Sequence, residues 1–154
     1  MHDQLTMQNF SLQRSLSYRL HLLHKITDLE SQNAYPREAG LPLSEGRCLA
    51  AIGSFAPLSI NALASRANLT KGQASRAAQS LADQGLIRKR SNAQDGRGIE
   101  ISLTAKGQTI WKKTMALVHA RNTAIFGCLS AKEQQQLSTL FDRLIDHNNP
   151  STRP

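Results

Sequence analysis

Between Thr70 and Gly85 the chain reads TKGQASRAAQSLADQG, a segment that few folds can use. Ala74, Ala77, Ala78 and Leu81 fall at i, i+3, i+4 and i+7, so a helix here buries one narrow, small-residue face. Thr70 and Gln73 have the spacing of a capping box at its start, and Gly85 stands where a helix stops. Just upstream, Ser59 can cap a short helix bearing Ile60, Leu63 and Ala64. Ala67-Asn68-Leu69 between them reads as a tight connection in which Asn adopts the left-handed conformation. Two short helices, a tight turn and a small-residue packing face make a helix-turn-helix.

The outward face of the second helix is polar, with Gly72, Arg76 and Gln79 at its centre and Lys71, Gln73 and Ser75 around them. Arg reads guanine edges, Gln reads adenine edges and Lys meets phosphate. An ordinary solvated face is the plain alternative, and the basic segment downstream weighs against it. Leu86-Ile87, Arg88-Lys89-Arg90, a turn-rich stretch and then Ile99 to Leu103 read as strand, loop and strand. Ile99, Ile101 and Leu103 alternate with Glu100 and Ser102. A basic hairpin behind a recognition helix is a wing. At its tip, Arg97 is placed to enter a narrow minor groove, and Asp95 to brace Arg88 or Arg90. Arg76 and Gln79 are thus expected to read bases, and Lys71, Arg88 and Arg90 to meet phosphate, with Lys89 on the same basic strand.

The order of these segments resembles the MarR family of winged-helix regulators. The matching residues are Gly85-Leu86-Ile87, Asp95-Gly96-Arg97-Gly98 and Leu103-Thr104-Ala105-Lys106-Gly107, with Leu43, Arg47, Leu49 and Ala50-Ala51-Ile52-Gly53 upstream. The likeness covers roughly residues 10 to 147. One departure is Gly46, where relatives often carry an aromatic before the Arg. The missing ring leaves either a larger cavity or a gap that another side chain fills.

Charge supports a nucleic-acid partner. The chain has a formal net charge of +8, and Ser59 to Lys112 alone holds nine Lys/Arg against three Asp/Glu. Positive charge clustered on the winged motif points to a polyanion such as double-stranded DNA rather than to a membrane surface. Forty per cent hydrophobic residues suffice for a core. Cys48 and Cys128 are far apart with no C-x-x-C, so a reducing cytoplasm is the expected setting. No apolar run is long enough to span a bilayer, and the polar first nine residues, expected to be loosely held, lack the core of a signal peptide.

The fold expected is mainly α with a small β wing: a winged helix-turn-helix over residues 43–104, helical dimerisation segments over 1–35 and 105–147, and a flexible tail over 148–154. A helix from Asn9 or Ser11 to about Gln32 carries Leu12, Leu16, Leu20 and Leu23, widened by Leu22, Ile26 and Leu29. So wide an apolar arc needs two partners, one of them a second subunit. Ala34 to Pro42, with two prolines and a glycine, reads as a loop. Thr104 caps a long helix reaching about Cys128. Ser130 and Glu133 form a capping box for a last helix with Leu137, Leu140, Phe141, Leu144 and Ile145 on one side. A two-fold pairing of these helices, which the resemblance also implies, would set two recognition helices about one DNA turn apart.

His21 and His24 share a helix face with Asp28 one turn on, but residues bordering a pocket or interface explain them better than a metal site. Cys48 reads as a small buried hydrophobe rather than a thiol sensor. There is no phosphate loop, nucleophile elbow or H-E-x-x-H, so no enzyme and no cofactor is expected. The resemblance implies a small phenolic or aromatic carboxylate effector, bound beside Tyr18, Arg19, His21, His24, Arg47 and Cys48. The chain then reads as a homodimeric repressor released from a pseudo-palindromic operator. Ligand-independent DNA binding, or metal or oxidant sensing on the same fold, are the alternatives.

Overall fold

A computed structural model describes residues 9–91 and 98–152. The expectations for Asp95 and Arg97, and for the first eight residues, lie outside the described residues. Among those described, six α-helices and one two-stranded sheet follow in order: α1 (Leu16–Ala39), α2 (Leu43–Phe55), α3 (Ile60–Arg66), α4 (Lys71–Asp83), β1 (Ile87–Ser91), β2 (Ile99–Leu103), α5 (Ala105–Phe126) and α6 (Ala131–Asn148). Short 3-10 turns stand at Leu12–Arg14 and Pro150–Thr152. The chain divides into two compact units between Leu117 and Val118.

The first unit is built around the helix-turn-helix. Ser59 Oγ accepts the Ala62 N–H, and Thr70 and Gln73 exchange both bonds of a capping box. Asn68 takes φ 56 and Gly85 φ 73, as the turn and the helix end require. Ala74, Ala77, Ala78 and Leu81 are all buried, against Leu49 and Ile52 of α2 and Leu63 of α3 in a single apolar cluster. The sheet is antiparallel, with Ile87 opposite Leu103 and Lys89 opposite Ile101. Leu58, just ahead of α3, pairs with the other edge of β2, exchanging backbone bonds with Ile101 at 3.1 and 2.8 Å. The alternation in β2 holds where the strand meets the core: Ile101 is 1% exposed, whereas Ile99, toward the tip, is 50% exposed.

One expectation is overturned. Ala34 to Ala39 is not loop but the last turns of α1, which runs through Pro36 and stops at Gly40, φ 72. Proline forgoes one helical N–H bond, yet Ala34, Tyr35 and Ala39 are buried and the Gly40 N–H closes onto the Pro36 carbonyl at 3.2 Å. Packing outweighs the local signal. The Tyr35 ring also accounts for Gly46: a Cβ there would lie 2.5 Å from Tyr35 Cε1. The missing aromatic is thus replaced by a ring from α1.

In the second unit, Ser130 Oγ accepts the Glu133 N–H at the start of α6. Gln134 Nε2 donates to the Phe126 and Leu129 carbonyls at 3.2 and 3.1 Å, closing the end of α5. Leu140, Phe141, Leu144 and Ile145 are exposed on α6. Separately, Leu16, Leu20, Leu22, Leu23, Ile26 and Leu29 are exposed on α1.

Candidate nucleic-acid interface

The face of α4 opposite its buried alanines carries Lys71, Gly72, Gln73, Ser75, Arg76 and Gln79, all exposed. Their surroundings differ. Gln73 Oε1 is committed to the Thr70 N–H at 3.0 Å, so this side chain holds the helix start. Gly72 stands open: a Cβ there would meet only Arg76 Nη1, at 3.6 Å. Gln79 is held at both ends of its amide, by Lys89 and by Asp83. Arg88, Lys89 and Arg90 project from β1, where only Ile87 is buried. Among the described residues, Lys71, Arg76, Arg88 and Arg90 are in no ion pair.

A clasp fixes β1 behind α4. Thr104 Oγ1 donates to the Gly85 carbonyl at 2.6 Å, and the Thr104 N–H to that of Leu86 at 3.0 Å. Lys106 Nζ donates to the Gln84 carbonyl at 3.1 Å, satisfying an acceptor that the end of α4 leaves open. Gly107 lies so close to Leu86 that a Cβ would overlap the Leu86 carbonyl oxygen. Two of the glycine-bearing segments of the sequence signature, Gly85 to Ile87 and Leu103 to Gly107, therefore lock to each other, and Lys106, one of the nine clustered cations, serves this joint.

Two features escaped the sequence reading. Glu45 of α2 is 8% exposed and accepts from Ser80 Oγ and, at 2.9 Å, from Gln84 Nε2. Burying a carboxylate demands such donors. The available signal was Ser80 and Gln84 at i and i+4, flanking the alanine face. Arg66, at the end of α3, stacks over Phe55 with its guanidinium 4.4 Å from the ring centroid, adding a positioned cation to the same motif.

The candidate effector residues are only partly brought together. Arg47 reaches α1 through a 2.6 Å ion pair with Asp28. Tyr18, Arg19, His21 and His24 are exposed on α1, and Tyr18 lies ten residues from Asp28, about 15 Å along the helix. Cys48 faces the other way, fully buried in the core. Burial, then the nearby Glu45 carboxylate, push its thiol up to about 11. Among the described residues no three His, Cys, Asp or Glu side chains converge, and no helix is long and apolar enough to cross a membrane.

Comparison with known proteins agrees with this geometry. Residues 39–98 match the model of the MarR family. The chain is 28% identical over 105 residues to the HTH-type transcriptional repressor Rv2887 of Mycobacterium tuberculosis, covering 68% of this chain and 76% of that one. A crystal structure of Rv2887 in complex with salicylic acid superposes with a TM-score of 0.69 at 25% identity, covering 89% and 98% of the two chains. The MarR/EmrR family regulator from Acinetobacter sp. ADP1 shares the fold at a TM-score of 0.80 and 22% identity, covering 90% and 97%. A helix-turn-helix backed by a basic strand pair and clasped through the matching glycine segments thus goes with a MarR-family match over residues 39–98, a likeness to a transcriptional repressor, and the fold of MarR-family regulators over most of the chain.

Proposed function

We propose that the chain is a homodimeric repressor of the cytoplasm. Its winged unit, residues 43–104, lays α4 in the major groove of a pseudo-palindromic operator. The helices over 1–35 and 105–147 pair two copies, each covering apolar side chains that a single chain leaves in water. One observation carries the reading: Lys71, Arg76, Arg88 and Arg90 stand exposed on α4 and the strand behind it, outside any ion pair among the described residues. Cations exposed on a recognition helix and its wing suit phosphate and guanine.

A small phenolic or aromatic carboxylate is the proposed effector. Rv2887 was crystallised with salicylic acid and with p-aminosalicylic acid, which favours that class. Arg47, aimed along α1 by Asp28, is the cation best suited to a carboxylate, with Tyr18, Arg19, His21 and His24 along the same helix. The test is to sequence genomic DNA fragments retained by the purified protein, then add salicylate. A shared palindromic motif released by salicylate is expected. Fragments without a common motif overturn the operator reading. A motif that salicylate leaves bound overturns the effector reading alone.

A further inference from the structure

Gln79 sits in a three-residue relay that joins the recognition helix to the wing. Lys89 Nζ of β1 donates to Gln79 Oε1 at 3.0 Å, and Gln79 Nε2 donates to Asp83 Oδ1, one turn further along α4, at 2.8 Å. The chemistry of the partners fixes which way the amide points. An ammonium can only donate and an ionised carboxylate can only accept. Turning the amide over would set donor against donor and acceptor against acceptor.

We infer that Lys89 and Asp83 are positioning residues that make Gln79 selective for adenine; the inference rests on α4 being the reading helix. A primary amide offers two N–H donors and two lone pairs on oxygen. The relay uses one of each, so one donor and one acceptor remain. Adenine presents in the major groove an acceptor at N7 and a donor at N6, which this remaining pair complements. Guanine presents two acceptors, N7 and O6, and the single N–H left on Gln79 cannot serve both. An untethered amide turns freely and gives any base at least one bond, so its preference is weak. The relay also gives Asp83 a use beside a polyanion: its charge is spent on the amide and offset by the ammonium at the other end.

The experiment measures binding of the full-length protein to an operator recovered from its retained genomic fragments, with each base pair changed in turn. Wild type should prefer adenine over guanine at one position per half-site by about tenfold or more. Gln79→Ala should erase that preference there and nowhere else. Asp83→Leu and Lys89→Met should each reduce it to within about threefold at the same base pair, leaving other positions unchanged, because each removes one of the two bonds that hold the amide. Lys89→Arg, which still donates to Oε1, should restore it. Urea midpoints equal to wild type establish that the variants fold. If Gln79→Ala erases the preference while Asp83→Leu and Lys89→Met retain it, the relay is overturned and Gln79 remains a reader. If Lys89→Met weakens every sequence equally, Lys89 is only a phosphate contact and its positioning role is overturned. If Gln79→Ala changes no base preference, both the relay and the reading role of Gln79 fall.

Discussion

Replacing Gly107 by alanine should destabilise the protein although it sits inside a helix, where alanine is favoured by about 1 kcal/mol. A Cβ at this position would overlap the Leu86 carbonyl oxygen and lie 2.8 Å from its carbonyl carbon and 3.3 Å from its Cα. Every atom it meets is backbone, so no side chain can swing aside. Leu86 is 3% exposed, and its carbonyl accepts the Thr104 N–H at 3.0 Å. The two backbones must separate, which strains the core by about 1–3 kcal/mol and weakens a hydrogen bond of about 0.5–1.5 kcal/mol. Set against alanine's propensity, the net loss is about 2 kcal/mol. With a urea slope near 2 kcal/mol/M, the midpoint falls by roughly 1 M. Trp111, the chain's one tryptophan, lies on α5 with its Nε1 donating to the Ala50 carbonyl at 3.3 Å, so its fluorescence follows the transition. Both proteins are compared at one chain concentration, since a dimer's midpoint depends on it. Gly72→Ala is the control: its Cβ enters open space and should add about 0.5–1 kcal/mol. A Gly107→Ala midpoint at or above wild type would refute the clasp.

Arg76→Ala should cost about 1–3 kcal/mol and relax preference at one operator position, whereas Lys71→Ala should weaken all sequences alike and flatten the salt dependence; titrations on operator and random duplexes at several salt concentrations separate the two, and equal losses for Arg76→Ala on both duplexes refute its role. Cys48 titrates near 11 when folded, against 9.0 ordinarily, so the folded state keeps a proton that the unfolded chain gives up. Its stabilising contribution is full below pH 9 and is lost as pH rises toward about 11; urea midpoints across that window should decline in wild type and decline less in Cys48→Ala. Truncation after Ser130 removes the stripe from Leu137 to Ile145 and should give monomer or aggregate by light scattering; a stable soluble dimer would refute the pairing.

Local signals were the legible ones. Ser59, Thr70 with Gln73, and Ser130 cap their own helices within three residues, so spacing alone placed those starts. The buried face of α4 followed from its alanines for the same reason. Pro36 misled because its local cost is set against burial of Tyr35 on Gly46, a contact between residues eleven apart that no window of helical period contains. Gly46 itself was readable as a departure, but whether it opened a cavity or received a ring depended on α1 continuing past the proline. Glu45 stands in the first turn of α2 and gives no local sign of burial. Its burial depends on Ser80 and Gln84, 35 and 39 residues away, and only the packing of α2 on α4 reveals it. Arg47 was readable as a candidate anion ligand, but not its partner Asp28.

The residues that made the chain recognisable are not those that would read DNA. Gly85-Leu86-Ile87 and Thr104-Ala105-Lys106-Gly107 meet at a joint where a glycine allows two backbones to touch and where a hydroxyl and an ammonium cap the end of α4. That geometry tolerates little change, because its contacts are to backbone and have fixed shape. The outward face of α4 has no such constraint. Among the described residues, nothing packs on Gly72 except the tip of Arg76, and Gln79 is tied to exposed neighbours. A sequence can therefore hold the joint and alter positions 72, 76 and 79 at little cost to folding. Family likeness consequently reports the scaffold, while in the proposed function operator choice rests with α4 and with the strand residues, Lys89 among them, that hold its side chains. The same joint ties β1 to the C-terminal end of α4 and the start of α5, which sets Lys89 beside Gln79. The relay through Gln79 is meaningful only on such a rigid base, since a wing free to shift by an ångström would lose its hold on the amide.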